Sequence, residues 1–107
     1  MKRAIQRARA QQDIVAAFEY YLAEAGGAVA AAFVQALDAC MTHIEQFPQA
    51  GSPRYAELLD IEGLRFVLIE RFPYAVFYFE RADNVDVVRV LHQHRDIPAM
   101  LAQTIEP

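Results

Sequence analysis

The 107 residues carry 10 Lys+Arg against 14 Asp+Glu, a net charge of −4, with 55% hydrophobic and 22% charged side chains. That length suits one domain with one two-layer core, and the composition is that of a globular chain, not a disordered one. Charges interrupt every apolar run before the ~18–20 residues of a membrane span, the basic start has no apolar stretch behind it to read as a secretory signal, and the single Cys40 excludes an internal disulfide and a cysteine-based zinc site.

The expected setting is therefore reducing and cytoplasmic. The acidic total weighs against a polyanion as main partner. The charge is unevenly spread. Residues 1–9 hold four cations and no acid (+4), residues 10–62 hold eight acids against Arg54 (−7), and residues 63–107 hold six acids against five arginines (−1).

In chain order, residues 2–8 read as a short strand around Ile5, flanked by Arg3 and Arg7. From about Gln11 the period becomes helical. Ile14, Phe18, Tyr21, Leu22 and Ala25 share one face, Asp13 sits in the first turn, and Gly26-Gly27 ends the helix. A second helix is expected over 28–47, with Phe33, Leu37, Cys40, Met41, Ile44 and Phe47 as its apolar stripe and Pro48 as its stop. Two glycines between helices predict an antiparallel hairpin, and neither helix would stand without packing on something.

Pro48–Pro53 is a turn cluster, and 54–63 reads as loop with a helical turn near Ala56–Leu59. Three β-branched and aromatic runs come next, over Leu64–Arg71, Tyr74–Glu80 and Val85–His92, with short connections that imply an antiparallel meander. Runs this apolar predict a sheet covered on both faces, the hairpin on one of them. Residues 97–107 read as a tail, with a short helix over 99–104. The class is α+β, in the order β-α-α-β-β-β: a helical hairpin on a mostly antiparallel four-stranded sheet.

The chemistry-bearing residues concentrate at the end of the last strand, in Val90-Leu91-His92-Gln93-His94-Arg95-Asp96. Strand ends commonly carry functional groups. One reading is a cationic or acid–base patch joined by Arg65 and Arg89. The plainer one is a local Arg95–Asp96 ion pair holding the tail, with His92 bonded to backbone. His92 and His94 face one side of a strand but have only Asp96 nearby as a third ligand, so neither a metal nor any other cofactor is expected. Tyr74 and Tyr78, four apart, share a sheet face, with their hydroxyls at its edge. Cys40 lies in the apolar stripe and reads as a small buried hydrophobe.

Several segments together resemble the RelE/ParE superfamily of bacterial toxins from type II toxin–antitoxin modules. They are Ala10-x-x-Asp13-Ile14, Tyr20-Tyr21, Ile44-x-x-Phe47-Pro48-x-x-Gly51, Leu64-Arg65, Tyr74-Ala75-Val76-Phe77-Tyr78 and Val88-Arg89-Val90-Leu91-His92-x-x-Arg95-Asp96. The last is similar to the ending typical of the ParE branch. The resemblance spans about residues 3–96. It implies that the first strand joins the sheet beside the last, and that a cognate antitoxin, ParD-like or similar, wraps the toxin.

The resemblance also implies a target. The ParE branch is associated with poisoning DNA gyrase, the RelE branch with cutting mRNA on the ribosome. RNA cleavage needs a base, an acid and cations around a phosphate. This chain has one lysine, Lys2, and a tail without a suitable titratable group up to Thr104. The expectation is a gyrase-directed toxin that performs no chemistry and does not bind nucleic acid directly. The alternatives are a nuclease using Arg65, His92 and Arg95, and a non-toxic binding module. Arg65, Arg89, His92, Arg95 and Asp96 are the expected functional surface. Phe18, Tyr21, Phe33 and Leu37 on the hairpin, with a sheet edge, are the expected antitoxin contacts.

Overall fold

The computed structural model describes residues 1–104, and the last three residues of the expected tail lie outside the described residues. The chain runs β1 (Arg3–Gln6), α1 (Ala8–Ala25), α2 (Gly27–Gln46), α3 (Arg54–Leu59), β2 (Leu64–Leu68), β3 (Tyr74–Glu80), β4 (Asn84–His92) and α4 (Ile97–Thr104). The sheet order is β1-β4-β3-β2. The meander β2-β3-β4 is antiparallel, and β1 lies parallel to β4 with Arg3 opposite Asn84 and Gln6 opposite Val87. The expected α+β architecture is what is observed.

α1 and α2 are joined through Gly26 alone, with Gly27 already the first residue of α2. Gly26 takes φ +91°, a conformation open to glycine without a Cβ clash, and its N–H closes α1 on the Leu22 carbonyl. The hairpin packs on one sheet face. Phe33, Leu37 and Ile44 of α2 meet Val76, Tyr78, Val87 and Val90 there. α2 is long and apolar enough to cross a membrane by length and composition. Its apolar stripe is spent on the sheet, as in any core helix.

α1 presents a different face from the one its large side chains predict. Ala10 and Ala17 are buried, Ile14 and Tyr21 pack against them, and Leu22 is exposed. The helix begins at Ala8, so Asp13 stands beyond the first turn and answers to a partner across the core. Small residues let α1 lie close to β4.

The second sheet face is covered by α3 and by the segment that reads as a tail. Leu101 and Ile97 are buried in a cluster with Ala75, Phe77, Phe79 and Leu91, and Tyr55, Leu59 and Met100 pack around it. Residues 97–104 are thus a docked helix, with Ile97 and Leu101 part of the core. Asp96 starts it: its carboxylate accepts from the Ala99 N–H at 3.3 Å, a side-chain cap on α4.

The sheet has one irregularity, next to α1. Phe77 pairs with Arg89 but Tyr78 pairs with Val87, so Val88 is an extra residue in β4. The bulge breaks the two-residue alternation, and Val87 and Val90, three apart, both face the hairpin.

Candidate functional site

Beside the bulge, Arg89 is 1% exposed and aimed at α1. Its Nε and Nη2 donate to the two carboxylate oxygens of Asp13 at 2.8 and 3.0 Å, and the Val90 N–H adds a third bond to Asp13 at 3.0 Å. This bidentate pair clamps α1 to β4 across 76 residues of sequence. The expectation that Arg89 belongs to an open functional surface is corrected here: its charge is matched inside the fold.

Arg65 also has structural work. Its guanidinium donates to the carbonyls of Gln49 and Gly51 at 3.0 and 2.8 Å, holding the turn after α2. The Tyr78 hydroxyl completes that turn, donating to the Pro48 carbonyl at 2.9 Å and accepting from the Gly51 N–H at 3.1 Å. A Cβ on Gly51 would collide with this hydroxyl, so the turn demands glycine for space. Tyr74 and Tyr78 do share the hairpin face. The Tyr78 hydroxyl, however, is tied into the interior of the turn, and burial pushes its pKa up.

Arg65 stands opposite Tyr78, whereas His92 stands opposite Tyr74, four residues along β3. At about 3.3 Å per residue that is roughly 13 Å. The trio Arg65, His92 and Arg95 is therefore not brought together. His92, His94 and Arg95 are, at the mouth of a cavity of about 780 Å³ between α1 and the end of β4. Arg9, Tyr20 and Tyr74 complete its walls, and the Asp13–Arg89 pair borders it. Sequence reasoning misses Arg9, which lies more than 80 positions from the histidines and joins them only through the fold.

Within this cavity, His92 Nδ1 accepts the His94 N–H at 3.1 Å, which leaves the proton of the neutral ring on Nε2. The ring stands edge-to-face with Tyr74 at 5.1 Å. Burial holds the His92 pKa below its ordinary 6.5, and the charges of His94 and Arg95 act in the same direction. His92 is thus bonded to backbone, in line with the plainer of its two readings. The local Arg95–Asp96 ion pair is not formed, and Asp96 caps α4 instead. Arg95 is exposed and makes no ion pair among the described residues.

A second groove of about 570 Å³ runs between α2 and the far end of β2. Ala32, Ala36, Ala39 and Cys40 line its helical wall with Gln35 and His43, and Val67, Leu68, Glu70, Arg71 and Phe72 form the other. Burial pushes the Cys40 thiol up to about 11, keeping it protonated and unreactive at neutral pH. The open edge of β2 runs alongside. Phe66 already exchanges both backbone bonds with Ser52, at 2.9 and 3.1 Å. By alternation Leu68 is the next residue to point its N–H and C=O outward, and it is 52% exposed.

Of the four expected antitoxin contacts, Phe33 and Leu37 are corrected to core residues at 0% and 4% exposure. The stripe that marks them faces the protein's own sheet. Tyr21 is half-buried among the rings of Phe33, Phe72 and Tyr74, and Phe18 is half-buried on α1. The alanine wall of α2 carries no periodic hydrophobic signal strong enough to mark it as a groove.

A helical hairpin against one face of a β1-β4-β3-β2 sheet, with a polar cluster leaving β4, defines the RelE/ParE-like class of fold. The family model for the ParE toxin of type II toxin–antitoxin system, parDE, matches residues 4–97. The chain belongs to the ParE toxin family. Among solved structures it is similar to a chain described as the chromosomal ParDE TA system from P. aeruginosa, at 20% identity and a TM-score of 0.73, over 86% of this chain and 96% of that one. A search of curated proteins gives no match.

Proposed function

We propose that this ParE-type toxin acts by protein–protein contact with DNA gyrase in the cytoplasm and is neutralised by a cognate antitoxin. Membership of the ParE family is the observation that carries this reading. The separation of Arg65 from His92 and Arg95 along β3 supports it over the nuclease alternative, which needs these groups around one phosphate.

The antitoxin is proposed to lay an extended segment along β2 at Leu68 and to seat small apolar side chains on the alanine wall of α2. An open strand edge beside a groove walled by alanines suits strand addition, in which main-chain bonds supply affinity and alternate side chains fill the groove. Ser52 limits the free edge to its Leu68 end, so the added strand is short.

The test is supercoiling by purified gyrase with the full chain added. Loss of supercoiling with accumulation of cleaved DNA, reversed by the antitoxin encoded alongside, is the expected result. Unchanged supercoiling at micromolar protein overturns the reading. Codon-linked cuts in mRNA on translating ribosomes would favour the nuclease.

A further inference from the structure

The cavity between α1 and the end of β4 gathers side chains that packing of the fold does not call for. Its only carboxylate among the described residues, Asp13, is already held by Arg89 and the Val90 N–H. Two further arginines line it, from opposite ends of the chain. Arg9 comes from the first turn of α1 and Arg95 from the loop after β4. Both are exposed and neither forms an ion pair among the described residues, Arg9 donating only a 3.3 Å bond to Gln12. In a protein of net charge −4, a concave site with two arginines and a locked carboxylate is a local reversal of sign.

The other walls are aromatic. Tyr20 is 58% exposed, held at one side by an edge contact with Tyr21. Tyr74 stands over His92. The volume is within the range of small-molecule sites, which run about 300–1,000 Å³.

We infer that this cavity binds a phosphomonoester of mononucleotide size, with its phosphate between Arg9 and Arg95 and its planar base against Tyr20. Guanidinium forks match the oxygens of a phosphate and hold it by charge-assisted bonds. A tyrosine ring accepts any base by stacking, so the site selects phosphate plus ring and not one base sequence. His94 at the rim supplies a further ring N–H donor. The inference concerns binding and involves no bond cleavage. It does not depend on what the toxin's target is.

The experiment is calorimetric titration of the full chain with AMP and GMP at low salt, against adenosine and inorganic phosphate as separate probes. Saturable binding of both nucleotides is expected, tighter than either fragment. Arg95→Ala and Arg9→Ala should each weaken AMP by about tenfold or more, the effect of losing one charge-assisted contact. Tyr20→Ala should weaken AMP while leaving inorganic phosphate unchanged. All three side chains are exposed, so the variants should keep the parent's circular dichroism and Tm. Should one of them fail to fold, amide shifts of His94 and Arg95 on adding AMP to the parent chain provide the same readout. Adenosine binding as well as AMP, phosphate binding as well as AMP, or AMP affinity indifferent to Arg95→Ala would each overturn the inference.

Discussion

Asp13→Ala tests whether the clamp between α1 and β4 is what keeps the hairpin on the sheet. The Asp13 side chain is 12% exposed and that of Arg89 1%, so the pair sits almost wholly out of water. Removing the carboxylate takes the bidentate acceptor from a buried guanidinium and leaves the Val90 N–H without its acceptor. Breaking a buried pair from one side costs about 3–5 kcal/mol. A domain of this size has about 5–15 kcal/mol in total, and such a loss corresponds to a Tm fall of roughly 15–25 °C. Asp13→Leu combined with Arg89→Met removes both charges together and should recover all but the roughly 1–3 kcal/mol of the orphaned N–H. Urea unfolding of the single and double variants, followed by circular dichroism, measures the coupling. A loss below about 1 kcal/mol for Asp13→Ala, or a double variant no more stable than the single, would refute the reasoning.

Tyr78→Phe deletes one hydroxyl that serves both Pro48 and Gly51, and should cost about 1–3 kcal/mol in urea unfolding. Leu68→Asp should leave stability within about 0.5 kcal/mol, since the side chain is largely in water, yet abolish co-purification with the antitoxin. Retention of the antitoxin would move its docking site elsewhere. For His92 the folded pKa is depressed, so the unfolded chain takes up the proton first and stability declines as pH falls through 6.5. An NMR titration of the ring should place its midpoint below that value, and a midpoint above it would contradict the burial argument.

The elements are legible in the sequence because their signals are local. Proline and glycine punctuate the hairpin, and β-branched runs mark the meander. What escapes is long-range or carried by small residues. Periodicity puts Leu22 on the inner face of α1 because it weighs side-chain size, whereas the close approach to β4 is made through Ala10 and Ala17. The pairing of Asp13 with Arg89 spans 76 residues and depends on a bulge at Val88 that no local pattern announces. The apolar stripe of α2 is plain in the sequence, but a docking role for Phe33 and Leu37 assumes a free face where the sheet already lies. The segment from residue 97 reads as a tail because eight residues are too few to show a period, and only burial of Ile97 and Leu101 reveals it as core.

The distribution of charge shows how the fold reassigns what the sequence displays. The basic N-terminus suggests a cationic sheet edge meeting Arg89 and Arg95 once β1 lies beside β4. β1 does lie there, but against the first half of β4, and the cations that flank it, Lys2 and Arg7, are matched on arrival. Lys2 bonds Glu80 at 2.8 Å and lowers its pKa. Arg7 and Arg81 converge on Asp86, where burial pushes the carboxylate up and the two guanidinium groups outweigh it. Even the outer side of β1 is covered, by Glu45 accepting the Ala4 N–H at 2.7 Å. With Arg89 on Asp13 and Arg65 on the turn carbonyls, the cations that the sequence gathers toward one basic face are mostly structural. Arg9 and Arg95 keep their charge for a ligand, and both line the one cavity that α1 forms with the end of β4. The α2–β2 groove, at the other edge of the sheet, has alanines along its helical wall and carries both Glu70 and Arg71. The two surfaces therefore differ in chemistry and in place, so a partner seated along β2 leaves the cationic cavity open.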